Sequence, residues 1–259
     1  MLRSVTALWV LFSLALTALT ARAEASLPPD EGARARDASI DRGLLTSHAE
    51  TLGEGLWSIN SYELFMLGVT YGITDDVQVN VTTSLPVVED MPLWLILSGK
   101  AVLYRDPMTV VAARAHFMYM TSLSDSDDDA IGVFGAALLV DRYLDGRGRF
   151  AVHAGLGVHG AFGVGFDGAG VSVGHGAAFT LEGGFSLGLS RNVKLLVELQ
   201  VPAASNGHDF EFAPFSLLNY GVRFHGGELA ADLGFARPLG TDDDPFVLGF
   251  PFVAFSARF

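Results

Sequence analysis

From Gly55 to the last residue, apolar and polar side chains alternate in short runs separated by turn residues, and few folds accommodate that pattern. Val77-Gln78-Val79-Asn80-Val81-Thr82 and Val193-Lys194-Leu195-Leu196-Val197-Glu198-Leu199-Gln200-Val201 show it most clearly. A period of two sends successive side chains to opposite faces, so each run reads as a strand with one greasy face. Twelve segments can be delimited: 55–62, 64–73, 77–84, 93–104, 108–120, 131–141, 149–162, 175–189, 193–202, 214–225, 228–238 and 247–259. Most are near the ~9–11 residues that a tilted membrane strand needs. Ile131 to Asp141 barely alternates, and its facing is open. Half of the 259 residues are hydrophobic. Past the first two dozen residues, however, no run approaches the ~20 apolar residues of a spanning helix. A dense soluble core or a membrane barrel remains. In lipid every backbone polar group must be paired internally, so a closed barrel is the only strand-built solution. Thirty glycines and nineteen phenylalanines suit small lumen residues and aromatic girdles.

The connections supply a separate line of reasoning. Short ones follow the even-numbered segments: Thr74-Asp75-Asp76, Arg105-Asp106-Pro107, Arg142 to Gly148, Ser190-Arg191-Asn192 and Gly226-Gly227. Longer ones follow most odd-numbered segments: Val87 to Pro92, Ser122 to Ala130, Gly163 to Gly174, Ala203 to Ala213 and Gly240 to Pro245. The first hairpin, at Tyr62-Glu63, is short. An all-β, antiparallel transmembrane barrel of about twelve strands predicts this rhythm, with periplasmic turns, outer loops and both termini periplasmic. With Gly226-Gly227 as a two-residue turn, Phe224 faces Leu229 and His225 faces Glu228. With Thr74-Asp75-Asp76 as a three-residue turn, Ile73 faces Val77 and Thr70 faces Asn80.

Both ends of the chain bear on location. Met1-Leu2-Arg3, an apolar run from Val5 to about Ala21, and Ala21-Arg22-Ala23 have the grammar of a signal peptide over residues 1–23. There is no cysteine, hence no lipid-acylation site and no disulfide framework. Residues 24–54 are turn-like and polar, and read as a periplasmic lead-in or as a plug in the lumen of a barrel over 55–259. The chain ends Pro251-Phe252-Val253-Ala254-Phe255-Ser256-Ala257-Arg258-Phe259, a strand closed by an aromatic residue. That ending resembles the C-terminal signal of bacterial outer-membrane β-barrels. Leu52-Gly53-Glu54-Gly55-Leu56-Trp57, followed by Tyr71-Gly72-Ile73-Thr74-Asp75-Asp76, likewise resembles the opening of porin-like and transporter-like barrels of that kind. The resemblance implies residence in the outer membrane, contact with its lipid and lipopolysaccharide, and recognition of the last strand by the barrel-assembly machinery. It does not specify an activity.

The inward face carries Lys100, Arg114, His116, His153, His159, Glu182, Lys194, Glu198, Arg223, His225, Glu228, Asp232 and Arg258. In a dry core these charges would be costly; a wet or salt-bridged lumen accommodates them. They form either a diffusion path or structural cross-links, with Arg223, His225, Glu228, Asp232 and Arg258 expected in one network at the periplasmic end. Toward the outer loops the same face carries Met66, Trp94, Met118, Met120, Phe250 and Phe252, read as an apolar constriction or as a pocket for a small apolar molecule. Asp125, Asp127 and Asp129 have suitable oxygens for a hard cation, but lack the glycine and the distal glutamate of a calcium loop, and read as a solvated acidic loop. No cofactor is implied.

The formal charge of −13 excludes nucleic acid as a partner. A lipid hydrolase needs a Ser/His pair at the membrane rim. His116, His153 and His159 fall inward and there is no G-x-S-x-G element, so the chain is not read as an enzyme. Gly163 to Gly168 has the outline of a phosphate loop but no helix to follow, and reads as a flexible loop. The function expected is a passive channel or binding barrel for small molecules of unknown identity. A structural barrel with a closed lumen is the alternative, and an outer-membrane lipid hydrolase the second.

Overall fold

The computed structural model describes residues 37–62, 65–85, 93–121, 130–145, 149–167, 170–205, 210–212, 216–240 and 248–259. Thirteen strands follow one another: β1 (Trp57–Tyr62), β2 (Met66–Thr74), β3 (Val77–Ser84), β4 (Leu93–Arg105), β5 (Thr109–Thr121), β6 (Ala130–Tyr143), β7 (Phe150–Asp167), β8 (Gly170–Gly188), β9 (Val193–Ser205), β10 (Phe210–Phe212), β11 (Ser216–His225), β12 (Leu229–Leu239) and β13 (Phe250–Arg258). β10 pairs only with the end of β9, which also pairs with β11 further along. The other twelve form an antiparallel ring that closes where β1 meets β13, from Ser58 opposite Arg258 to Tyr62 opposite Ala254. Trp57 and Phe259 exchange backbone hydrogen bonds of 3.1 and 2.8 Å at the seam. Closure leaves the ring without a free edge. Among the described residues no helix is long and apolar enough to cross a membrane.

Large apolar side chains stand exposed on the outside, including Leu103, Phe134, Leu156, Leu181 and Val81. So many exposed apolar side chains are unsuited to water and suited to hydrocarbon. Trp57, Tyr71, Tyr104 and Phe150 lie on the exterior near the short-turn end, as an aromatic girdle would. The inward face is polar and mostly buried. On β11, Asn219, Gly221, Arg223 and His225 are buried while their alternating neighbours are half-buried.

Three sequence expectations change. The β11–β12 turn centres on Gly227-Glu228, with Gly226 N–H donating to Leu229 at 2.7 Å. His225 therefore faces Ala230 and Phe224 faces Ala231. The slip is two residues, an even number, so the facing of every side chain is kept while Arg223 moves directly opposite Asp232. At the first short turn Thr70 does face Asn80, but Ile73 sits in a bulge and Thr74 pairs with Val77. Gly163 to Asp167 is strand, not loop, because β7 and β8 stay paired out to Asp167 opposite Gly170. With 18 and 19 residues, these strands exceed what a bilayer requires. Past the bilayer no apolar face is needed, so the period-two signal fades while the hydrogen bonds continue.

Candidate functional site

Residues 37–54 occupy the lumen at the short-turn end. Ala38, Leu44 and Ala49 are fully buried, and Asp37, Ser39, Asp41, Arg42, His48, Glu50 and Leu52 nearly so. The segment folds into a tight hairpin, with Arg42 bridged to Ser47 and His48 N–H donating to Asp41 at 3.2 Å. Its backbone is too irregular to satisfy itself, so the inward side chains of the wall do so. Glu198 accepts the N–H groups of Leu44, Leu45 and Thr46 at 2.5, 3.1 and 3.2 Å. Asp141 accepts Ala49 N–H at 2.9 Å and Gln78 accepts Leu52 N–H at 2.8 Å. Lys100 donates to the carbonyls of Asp41 and His48, both at 2.8 Å. Arg223 donates to the carbonyls of Ser39, Arg42 and Gly43 at 2.8, 2.9 and 2.7 Å.

Ion pairs add to this cradle. Arg223 and Arg42 both reach Asp232, at 2.7 and 2.8 Å, while Arg42 also donates to Ser256. Lys194 lies 2.7 Å from Asp37, and Arg105 lies 2.6 Å from Glu50. Burial alone would raise the Asp37 carboxyl. The charges of Lys194, Arg223 and His225, with a hydrogen bond from Lys194, overcome that and hold it well below the usual aspartate range. Buried pairs of this kind cost desolvation, and here the compensation comes from several hydrogen bonds per charge.

Above the plug lies a cavity of about 600 Å³. Asp41, Arg42, Leu45, Thr46 and Ser47 of the plug form part of its lining. The wall contributes Asn80, Trp94, Ile96, Arg114, His116, Met118, Val133, His159, Thr180, Glu182 and Gln200, among others. Arg114 and Glu182 lie 3.8 Å apart. His116 and His159 are 3.2 Å apart through ring nitrogens, and Thr180 reaches His159 at 3.0 Å. Arg114 Nε, His116 Nδ1 and Glu182 Oε2 are buried atoms with no hydrogen-bond partner within the described protein.

The expected inward charges thus divide between two places. Lys100, Lys194, Glu198, Arg223 and Asp232 hold the plug, whereas Arg114, His116, His159 and Glu182 line the cavity. His225 is buried, Glu228 is exposed in the turn and Arg258 is half-buried at the end of β13. The apolar set does not form one ring. Trp94 and Met118 line the cavity, while Met66 and Met120 are half-buried outside its lining. Phe250 is 49 % exposed at the start of β13. Phe252 packs with Leu44 of the plug and Leu196 of the wall, its ring lying where a side chain at position 234 would be. The cavity is consequently more polar than an apolar constriction. Asp125, Asp127 and Asp129 lie outside the described residues.

The plug residues Asp37, Arg42 and His48 are site residues that sequence reasoning did not single out, and neither were Gln78, Asp141 or Ser186. The one available signal was a polar segment ahead of a barrel whose inward face held too many charges for a plain wall. His153 Nδ1 lies 2.9 Å from Asp141, and its Nε2 lies 3.2 Å from Ser186. These are the distances of a hydrolytic triad. The adjacent cavity, however, is about 10 Å³, room for a single water, and admits no ester. Here the arrangement orients the His153 ring, which stacks on His48 of the plug at 3.7 Å and 7°.

No protein-family model matches the chain, and no curated protein does so. Solved structures do match. The NanC porin aligns with a TM-score of 0.45 and 6 % identity over 78 % of this chain and 97 % of that one. The toluene transporter TodX of Pseudomonas putida aligns with a TM-score of 0.40 and 9 % identity over 88 % and 96 %. LpxR from Salmonella typhimurium aligns with a TM-score of 0.41 and 8 % identity over 79 % and 99 %. At these scores the likeness carries no weight for activity. The architecture stands on the chain's own strand pairing, which is that of a closed, antiparallel, twelve-stranded β-barrel.

Proposed function

We propose that the chain is a plugged channel of the bacterial outer membrane, in which small solutes occupy the cavity and residues 37–54 gate passage beyond it. The observation behind this reading is the division of the lumen into a cavity of about 600 Å³ and a plug held through hydrogen bonds rather than a continuous strand. A cavity of that size is within the range of small-molecule sites. Its lining sets Trp94, Ile96 and Met118 beside Arg114, Glu182 and the two histidines, which suits a solute with an apolar body and a polar or charged head. The plug uses mainly side chain to backbone bonds, which break one at a time as a segment withdraws, whereas a strand in the ring would have to break the barrel. The test is single-channel conductance in a planar bilayer of the intact chain and of a chain lacking residues 37–54, with β-structure checked by circular dichroism. The deletion is expected to raise conductance severalfold. Equal conductance in both would overturn the gate. The closed structural barrel is the competing reading, because the docked plug occupies the lumen at the short-turn end; it predicts that no solute changes the exposure of residues 37–54.

A further inference from the structure

We propose that the cavity above the plug is a site for a zwitterionic α-amino acid with an apolar side chain. This rests on the reading of the cavity as a solute site and names the class of solute. Its polar centre is the ion pair of Arg114 and Glu182, and that pair is incomplete. The two approach only to 3.8 Å, beyond a hydrogen bond, with side chains 19 % and 13 % exposed. Arg114 Nε and Glu182 Oε2 are buried and have no hydrogen-bond partner among the described residues. The cradle shows a completed pair: Arg223 Nε lies 2.7 Å from Asp232, and Arg223 donates to three plug carbonyls besides. A guanidinium and a carboxylate left as Arg114 and Glu182 are have given up water without gaining bonds. A ligand that carries both complementary charges removes that cost.

The apolar part of the site has its own level in the barrel. Ile96 pairs with Met118 and Met118 with Val133, one row across β4, β5 and β6, and Trp94 stands two residues nearer the outer loops. All four line the cavity together with Arg114 and Glu182. Met118 and Arg114 are four residues apart on β5, roughly 13 Å along the strand. Side chains reaching in from both levels shorten that span to the reach of one small molecule. His116, between the levels, is held to His159 at 3.2 Å, and His159 to Thr180 at 3.0 Å. In the floor, Arg42 is paired with Asp232 and Asp41 accepts from Gln78. The lining selects among solutes. A carboxylate alone meets the like charge of Glu182, and an amine alone meets that of Arg114. A hydrocarbon leaves both charges desolvated, and a sugar gains nothing from the apolar row. An apolar amino acid sets its carboxylate on Arg114, its ammonium on Glu182 and its side chain against the row.

The test titrates the full chain, refolded in detergent, with L-phenylalanine by calorimetry. Two analogues share its body and carry one charge each: 3-phenylpropanoate, which lacks the ammonium, and 2-phenylethylamine, which lacks the carboxylate. One saturable site per chain is expected, with phenylalanine held at least about tenfold more tightly than either analogue. Arg114→Gln should weaken phenylalanine by at least about tenfold. Glu182→Gln should weaken phenylalanine similarly and tighten 3-phenylpropanoate, because the repelling charge is gone; a merely structural carboxylate would not produce that reversal. Absence of saturable phenylalanine binding, analogues bound as tightly as phenylalanine, or phenylalanine binding unchanged in both variants overturns the site. If the variants fail to refold, the comparison of the three ligands on the unaltered chain decides by itself. Binding is measured without conductance. An unaltered chain that ignores phenylalanine while plug deletion raises conductance overturns the amino-acid site alone, and bound phenylalanine with equal conductance in both chains overturns the gate alone.

Discussion

Glu198 accepts three hydrogen bonds from the plug backbone, as many as Arg223 donates to it. Both of its oxygens serve plug N–H groups, and it is buried. Glu198→Gln keeps one acceptor and loses the charge, and it should weaken plug docking by about 1–3 kcal/mol. Faster proteolytic cutting within residues 37–54, with an unchanged barrel, is the expected readout. Arg223→Met is more severe. It leaves Asp232 short of a cation and removes the donor to three plug carbonyls, a loss of about 3–5 kcal/mol visible as a lower unfolding temperature of the barrel. Asp37 sets an acid limit. Its folded pKa lies below its unfolded value, so its contribution is fully present above about pH 4 and fades as pH falls through the folded value. The difference in plug release between the unaltered chain and Asp37→Asn should be constant from pH 7 to about 4 and shrink below that. A difference that shrinks between pH 7 and 5 would contradict the pairing with Lys194 and Arg223.

Among the elements, the hairpin from Asp41 to His48 depends on having no side chain at position 43. A Cβ there would collide with the Glu198 carboxylate and come within 2.6 Å of Thr46 Oγ1. Gly43→Ala should loosen the plug by an amount similar to Glu198→Gln, and the double variant should be little worse than either alone, since both remove the same contact. Additive losses, measured as protease sensitivity, would show that the two residues act separately. The hairpin also explains why β6 alternates so poorly. Its inward Ala137, Leu139 and Tyr143 pack with Val110, Ala112 and Ala151 around Ala49 of the plug, so, Asp141 apart, this stretch of the inward face is as apolar as the outward one. A wall strand facing water would have been polar there, and its register would have been legible.

For the molecule as a whole, an even ring and a common rhythm of turns put Trp57, Phe259 and the plug at one end. If short turns are periplasmic, a cysteine introduced at Asn192 is shielded in intact cells and one introduced at Ser126 reacts with an impermeant reagent. The reverse labelling would invert the barrel and place the plug at the outer mouth. Charge divides in a similar way along the sequence: Arg105, Arg142, Arg149 and Arg191 flank short turns, whereas the clustered aspartates at 125–129 and 242–244 fall in the stretches read from the sequence as long connections. Opposite potentials at the two mouths would steer ionic solutes differently from each side.

The barrel was legible because a membrane wall imposes a local rule on every strand. Lipid rejects polar side chains at each outward position, which leaves a period of two in the residues themselves. Leu195, Val197 and Leu199 alternating with Lys194, Glu198 and Gln200 state their facing without reference to any other strand. An even slip at Gly227-Glu228 cost nothing in facing for the same reason. The inward face obeys no such rule. Whether Lys100 meets water, a solute or a carbonyl depends on what else occupies the lumen, and that is decided by contacts such as Glu198 with Leu44, 154 residues apart. The stacking of His48 on His153, the separation of Phe252 from Trp94, and the split of the inward charges between cradle and cavity are all consequences of a polar segment folding back into a closed ring. No local period encodes them, because each arises from two parts of the chain that only closure brings together.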